Sequence, residues 1–167
     1  MIPEYSTACL DWADRIRAGK SIIPPPIFPD EAAAAVAVMR ELRIVDAPGS
    51  PTMGEACAPR VFDLAAAIFG SYDSETGNRL IKEVFVLVSK KNSKSTIAGA
   101  IMLTALIRNW RQSAQFAILS PTVEVATNSF APASDMVAKD EELTALLHTQ
   151  GHVKTITHRE SNATMKV

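Results

Sequence analysis

The feature that most constrains this 167-residue chain is an apolar run at residues 84–88, followed directly by a lysine-rich turn. The run is uninterrupted and contains three valines, which is typical of a strand buried on both faces of a parallel sheet. Polar residues 89–93 follow as a turn. Residues 96–110 are apolar nearly all round, which indicates a buried helix. A strand, a turn and a helix in this order predict an α/β domain.

The rest of the chain extends this alternation of helices and strands. Upstream, a proline-rich connector at 22–29 and a loop at 48–51 separate three predicted helices, at residues 6–18, 31–42 and 59–69. Downstream, the pattern predicts a second buried strand at 116–119, helices at 121–139 and 140–148, and a hairpin within 152–167. The order predicts a mostly parallel sheet with right-handed crossovers.

Composition limits the classes of function. Hydrophobic residues make up 47% and charged residues 21% of the chain, which is ordinary for a globular protein. The net charge of -1 requires any contact with nucleic acid to use a local basic patch. Cys9 and Cys57 are far apart, which argues against a zinc site or a disulfide framework. No signal peptide or membrane-spanning segment is visible, so we expect a soluble intracellular protein.

The turn after residue 88 contains part of a phosphate-binding motif, the P-loop or Walker A motif. The general pattern is Gly, four residues, then Gly-Lys-Ser/Thr. Lys94 and Ser95 supply the final pair, whereas Val88 and Ser93 occupy the two glycine positions. The predicted context is a strand that leads through a turn into a helix N-terminus, and this arrangement favours a bound anion.

The motif assigns a role to each residue of the turn. Lys94 is the candidate catalytic residue because its ammonium would neutralise the β and γ phosphates of ATP, and the Ser95 hydroxyl would bind Mg²⁺. The predicted ATP-binding residues are Ser89, Lys90, Lys91, Asn92, Ser93, Lys94, Ser95 and Thr96. The simplest alternative is a lysine-rich turn that only precedes a solvated helix end.

A longer stretch carries a family resemblance. Residues 83–100, continued by 103–110, resemble the ATPase core of the large terminase subunit of tailed bacteriophages. Members of that family commonly lack the first loop glycine and have two basic residues and Asn before Gly-Lys-Ser/Thr, which Lys90, Lys91 and Asn92 match. Residues 116–130 and 152–167 are similar to the elements that follow in the family. Ser93 departs from the pattern, because the family has Gly at this position.

The resemblance implies a fold and a division of the chain. It implies a P-loop NTPase-type, three-layer αβα domain with a mostly parallel sheet, partial here because the family's acidic strand and nuclease domain would follow Val167. In this division, a helical N-terminal segment with the proline-rich connector covers residues 1–58, and the partial ATPase domain covers 59–167.

The resemblance also implies a function. The parent protein would be an ATPase motor, also an endonuclease, that packages viral DNA into procapsids in the host cytoplasm, with ATP and Mg²⁺ as cofactors. Its implied partners are double-stranded DNA, the portal, the small terminase subunit and further copies in a ring, without a membrane. The alternative is a degenerate P-loop scaffold or DNA-contact module that does not hydrolyse nucleotide, and Ser93 is the residue on which the two readings differ.

Overall fold

A computed structural model describes residues 5–167 and has a mixed α/β architecture. The described residues form two compact units, one from residues 5–37 and 57–87 and the other from 38–56 and 88–167. The helices, in chain order, are α1 (Trp12–Arg17), α2 (Pro29–Glu41), α3 (Met53–Ala56), α4 (Pro59–Gly70), α5 (Lys94–Ile107), α6 (Val123–Ala138) and α7 (Glu141–Leu146). The strands are β1 (Gln115–Ala117), β2 (Leu147–Gln150), β3 (Thr155–His158) and β4 (Thr164–Lys166). Across residues 5–167, no helix combines the length and apolarity needed to cross a bilayer.

In the first unit, the proline-rich connector packs against the end of α4. The Phe28 amide donates to the Gly70 carbonyl at 2.8 Å, and the Phe28 ring stacks on Tyr72 with ring centroids 4.3 Å apart. A Cβ at Gly70 would lie 2.6 Å from the Pro26 Cβ and 2.8 Å from the Ala32 Cβ. Glycine therefore lets the connector, α2 and the end of α4 approach closely.

The second unit contains a four-stranded mixed sheet in the order β1-β4-β3-β2. The strand β1 is parallel to β4, whereas β3 is antiparallel to both β4 and β2. The side chains of Ile156 and Met165 are fully buried and lie opposite each other on β3 and β4. Along β3 the burial alternates from residue to residue, so the sheet turns one face to the core.

Helices α5 and α6 pack on each other and against this sheet. The largest buried side chains of the pair are Leu103, Leu106 and Met136, all less than 2% exposed. The helices come closest at Gly99, where a Cβ would lie only 2.6 Å from the Ser129 carbonyl oxygen. Gly99 thus sets how closely the two helices approach.

The sheet corrects one sequence prediction and leaves another untested. A mostly parallel sheet was predicted, but only the β1–β4 pair is parallel, so that prediction is wrong. The reason is that β2, β3 and β4 follow one another through short connections, and short connections join antiparallel strands. Helix α5 contacts β4, and α6 and α7 contact β2; the three-layer αβα arrangement remains a prediction.

The predicted strand at residues 84–88 is not a strand. These residues have no regular secondary structure, and no backbone hydrogen bond joins them to another part of the described chain. Phe85 is 88% and Leu87 83% exposed, which contradicts the prediction of burial on both faces. The composition favours a strand, but a strand forms only where a neighbour accepts and donates its hydrogen bonds.

The remaining predictions fared unequally. The predicted helices at 31–42, 59–69 and 121–139 are confirmed as α2, α4 and α6, and the C-terminal hairpin as β3 and β4. The first helix was predicted at 6–18, but α1 begins only after Asp11 and is therefore shorter. The predicted helix at 140–148 ends at Leu146, where β2 begins. The second predicted strand, at 116–119, exists only in part as β1, and the prediction that it is buried is wrong, because both ends of β1 are exposed and Leu119 is 89% exposed.

The close approach at Gly99 yields a stability prediction. Gly99→Ala places a methyl group against the Ser129 carbonyl. Because a backbone carbonyl, unlike a flexible side chain, cannot rotate out of the way, we expect the free energy of unfolding to fall by about 1–3 kcal/mol. The higher helix propensity of alanine offsets only part of this loss. Urea denaturation measures the change. Gly151→Ala is the control, since a Cβ there meets nothing within 4 Å, and equal stability of the two variants would contradict the prediction.

Candidate phosphate-binding site

The lysine-rich turn at residues 89–93 has an unusual backbone. Lys91 and Ser93 both adopt positive φ angles, 66° and 50°, in the left-handed region that non-glycine residues seldom occupy. Ser93 is also the residue that directly precedes α5, and its side chain makes no capping hydrogen bond. The position where the motif calls for glycine is therefore one where the backbone conformation itself favours glycine.

Side chains of the turn fold back on its first residue. The Asn92 amide group donates to the Ser89 hydroxyl oxygen at 2.7 Å and to the Ser89 carbonyl at 3.2 Å. Such contacts between a polar side chain and nearby backbone are frequent in turns, although this particular one was not predicted. They close the turn into a ring of residues 89–92.

The Lys94 ammonium lies over the same ring. Its Nζ donates to the Ser89 carbonyl at 2.8 Å and to the Val88 carbonyl at 3.2 Å. An ammonium has three donors, so these two bonds leave one hydrogen free. The long side chain therefore runs back from the first turn of α5 toward residues 88 and 89.

The N-terminus of α5 offers backbone donors beside this lysine. The first hydrogen bond of the helix joins the Ile97 amide to the Ser93 carbonyl at 2.9 Å. The amides of Lys94, Ser95 and Thr96 precede it, and no carbonyl or side chain of the described residues accepts from them. Unpaired amides at the start of a 14-residue helix carry the positive end of its dipole and attract anions.

The surrounding sequence is free of competing negative charge. No Asp or Glu occurs between Glu83 and Glu124, and this interval contains Lys90, Lys91 and Lys94. All three lysines are exposed. The positive charges of these three lysines are not neutralised by ion pairs within the turn, so they can attract an anionic ligand.

The predicted site residues fall into two groups by burial. Ser89, Lys90, Lys91, Asn92, Ser93 and Lys94 are all exposed, and Ser95 is half-buried. Thr96 is only 8% exposed, because the third residue of α5 faces the packed side of the helix. The structure thus brings the residues from 89 to 95 to one accessible end of α5 and leaves Thr96 within the core.

The donor set suits a polyphosphate. Three helix amides, one lysine ammonium with a free hydrogen, and two further lysines are all donors, which matches the acceptor oxygens of phosphate groups. For Mg²⁺, the turn offers the Ser95 hydroxyl. Among residues 5–167 no group of three or more His, Cys, Asp or Glu side chains could hold a metal ion. A cation here would accordingly take most of its ligands from phosphate oxygens and water.

Comparison with known proteins bears on the fold. No protein-family model matches the chain, and no curated protein matches it. Among solved structures, the chain is similar to the crystal structure of the HK97 bacteriophage large terminase, with a TM-score of 0.65 and 20% sequence identity. The match covers 81% of this chain and 26% of that chain. The chain therefore has a terminase-like fold and spans about a quarter of the length of the protein it matches.

The left-handed conformation of Ser93 yields a second prediction. Ser93→Gly removes a steric penalty of about 1–2 kcal/mol, partly offset by the greater freedom of glycine in the unfolded chain. We expect a net gain of about 0.5–1 kcal/mol in the free energy of unfolding. The control Ser95→Gly changes a helical position without positive φ and should lose about 0.5–1 kcal/mol instead. Chemical denaturation of both variants measures the free energy of unfolding. A lower value for Ser93→Gly than for the original chain would contradict the inferred strain at Ser93.

Proposed function

We propose that this chain forms the nucleotide-binding part of a terminase-like ATPase that packages viral DNA. The observation that supports the proposal most directly is the position of the Lys94 ammonium beside three unpaired amides at the N-terminus of α5. A phosphate group at this point would meet a full charge and several aligned dipoles at once. The ligand is MgATP.

Each part of the turn has a separate task in binding. The amides of residues 94–96 hold phosphate oxygens, and the Lys94 ammonium neutralises the charge that develops on the terminal phosphates. To do so, Lys94 exchanges its bonds to the Ser89 and Val88 carbonyls, 2.8 and 3.2 Å long, for bonds to the ligand. The Ser95 hydroxyl would hold Mg²⁺, which would supply charge neutralisation for the triphosphate.

The wider role is inferred from two likenesses. The solved structure with the similar fold is a bacteriophage large terminase, and residues 83–110 resemble the ATPase core of that family. We therefore propose double-stranded viral DNA, the portal and the small terminase subunit as partners, and a ring of several copies in the host cytoplasm. ATP hydrolysis in that ring would drive DNA movement, and an endonuclease activity would belong to the same parent protein.

One observation favours the alternative, a P-loop scaffold or DNA-contact module that binds no nucleotide. Ser93 holds a left-handed conformation at φ 50°, and a phosphate group bound at the helix end would have to accommodate a side chain where the family has glycine. If the side chain blocks a phosphate group, the turn keeps its shape but loses its ligand. Binding measurements with and without the Ser93 side chain separate the two functions.

The test is calorimetric titration of the chain with MgATPγS. We expect binding in the micromolar range, weakened on the order of tenfold or more in Lys94→Ala, because a charge-assisted bond to phosphate is lost. Lys139→Ala is the matched control: this lysine belongs to the same unit but follows the C-terminal end of α6. The affinity of the Lys139→Ala variant for MgATPγS should equal that of the original chain.

The Ser93→Gly variant completes the design. Equal or tighter binding by this variant, together with binding by the original chain, supports a functional P-loop. Binding only after Ser93→Gly supports the degenerate scaffold. Absence of binding in both proteins, when circular dichroism shows them folded, would reject the phosphate site.

A further inference from the structure

The segment between α5 and β1, residues 108–113, carries an exposed tryptophan. Trp110 is 82% exposed, although tryptophan has a large apolar surface and is mostly buried in the average protein. It follows the C-terminal end of α5, whereas the lysine-rich turn precedes the N-terminal end. A helix of 14 residues is about 21 Å long, so Trp110 belongs to a different surface from the candidate phosphate site.

Hydrogen bonds hold this segment in one conformation. The Asn109 side-chain amide donates to the Arg111 carbonyl at 2.7 Å, and the Asn109 side-chain oxygen accepts from the Arg111 amide at 3.2 Å. The same Asn109 amide group donates to the Ser161 hydroxyl oxygen at 3.4 Å, and the Ser113 amide donates to the Ser161 carbonyl at 2.7 Å. The segment is therefore fixed to the turn between β3 and β4, with Trp110 held at the surface.

The surface around the tryptophan ring is positively charged. The Arg111 guanidinium lies over the ring, with its Cζ 5.6 Å from the ring centroid, which is within the range of a cation–π contact. Residues 108–113 and the adjacent turn at 159–162 contain three arginines, at 108, 111 and 159, and one acidic residue, Glu160. Arg111 and Arg159 are both exposed. This surface therefore attracts anionic groups.

We infer that this surface binds a single-stranded nucleic acid, with an unpaired base stacked on Trp110 and a neighbouring phosphate on Arg111. Every base has a flat π face, and an aromatic side chain beside basic ones is the usual platform for unpaired bases. The guanidinium lies over one face of the ring, and the high exposure of Trp110 leaves the other face open. A base within a duplex offers no such face, because its neighbours already stack on it.

The single tryptophan also argues for a nucleic acid over an anionic membrane. Trp110 is the one large exposed apolar side chain of residues 108–113, whereas a membrane-surface segment buries a whole apolar face. The inference goes beyond the proposed function and does not depend on nucleotide binding at the lysine-rich turn, since it concerns the opposite end of α5.

The first test measures the affinity for a fluorescein-labelled strand of twelve thymidylates by fluorescence anisotropy, without ATP. Trp110→Ala should weaken binding about five- to a hundredfold, the effect of losing one stacked base, and Trp110→Phe, which keeps an aromatic ring, should lose less. Leu119→Ala is the matched control, because Leu119 is 89% exposed but follows the other end of β1. This control should bind as tightly as the original chain.

The contribution of Arg111 is measured from the salt dependence of binding. Arg111→Ala should weaken binding and lower the slope of log affinity against log salt concentration by about 0.7, the value for one phosphate contact with a single strand. Lys166→Ala is the control for charge, because Lys166 is exposed and pairs with Ala117 at the far end of β1. It should leave the slope unchanged.

Tryptophan emission reports the stacking directly. The chain has two tryptophans, so in Trp12→Phe all the tryptophan emission comes from Trp110, and the unlabelled thymidylate strand should quench it. A strand of twelve abasic residues has the same phosphates without bases, and it should bind about fivefold or more weakly and without quenching. A strand of twelve uridylates should also bind, and the ratio of its affinity to that of the thymidylate strand distinguishes RNA from DNA as the ligand.

Three results would overturn the inference: equal affinity for the abasic strand, equal affinity of Trp110→Ala and the original chain, or unquenched emission in Trp12→Phe. Binding to vesicles of anionic phospholipid in place of the thymidylate strand would also overturn it, in favour of a membrane contact. Because no ATP is present, these results are independent of the titration with MgATPγS, so the failure of one function can be told from the failure of the other.

Discussion

The packing of α5 on α6 is the constraint on which the rest of the second unit depends. The backbone of Ser129 occupies the space where a side chain at position 99 would lie, so the two helices are fixed at one short separation. That separation fixes the orientation of the first turn of α5 and therefore the direction in which its unpaired amides point. It also places Thr96 against α6, beside residues Asn128 to Met136.

The sequence predicted the helices better than the sheet, and the reason is the range of the interactions. Helices α2, α4 and α6 are determined by local apolar spacing and by breakers such as Gly70, which lie within each segment. Sheet order depends on partners distant in sequence, so β2 was missed and the parallel arrangement was wrong. Residues 84–88 illustrate the limit most clearly: their composition is that of a buried strand, but composition cannot supply a neighbouring strand.

The position of the lysine-rich turn before a helix could be predicted from the sequence, whereas the conformation of the turn could not. The motif placed Lys94 and Ser95 at the start of a helix, and the structure has them there. What the sequence could not indicate is that Ser89 receives both the Asn92 amide and the Lys94 ammonium, because such contacts depend on the path of the turn. Nor could it indicate the burial of Thr96, which is decided by the side of α5 that meets α6.

The exposed run at residues 84–88 has a consequence for the behaviour of many copies in solution. It is a short, uncharged, strand-favouring segment that forms no backbone–backbone hydrogen bond with the rest of the described chain, and such segments promote cross-β aggregation. Lys90 and Lys91 follow within three residues. In a parallel, in-register stack these lysines would lie one above another, and their mutual repulsion opposes growth of the stack. These positive charges thus oppose aggregation of the exposed run, so neutralising Lys90 and Lys91 would lower the colloidal stability of the protein.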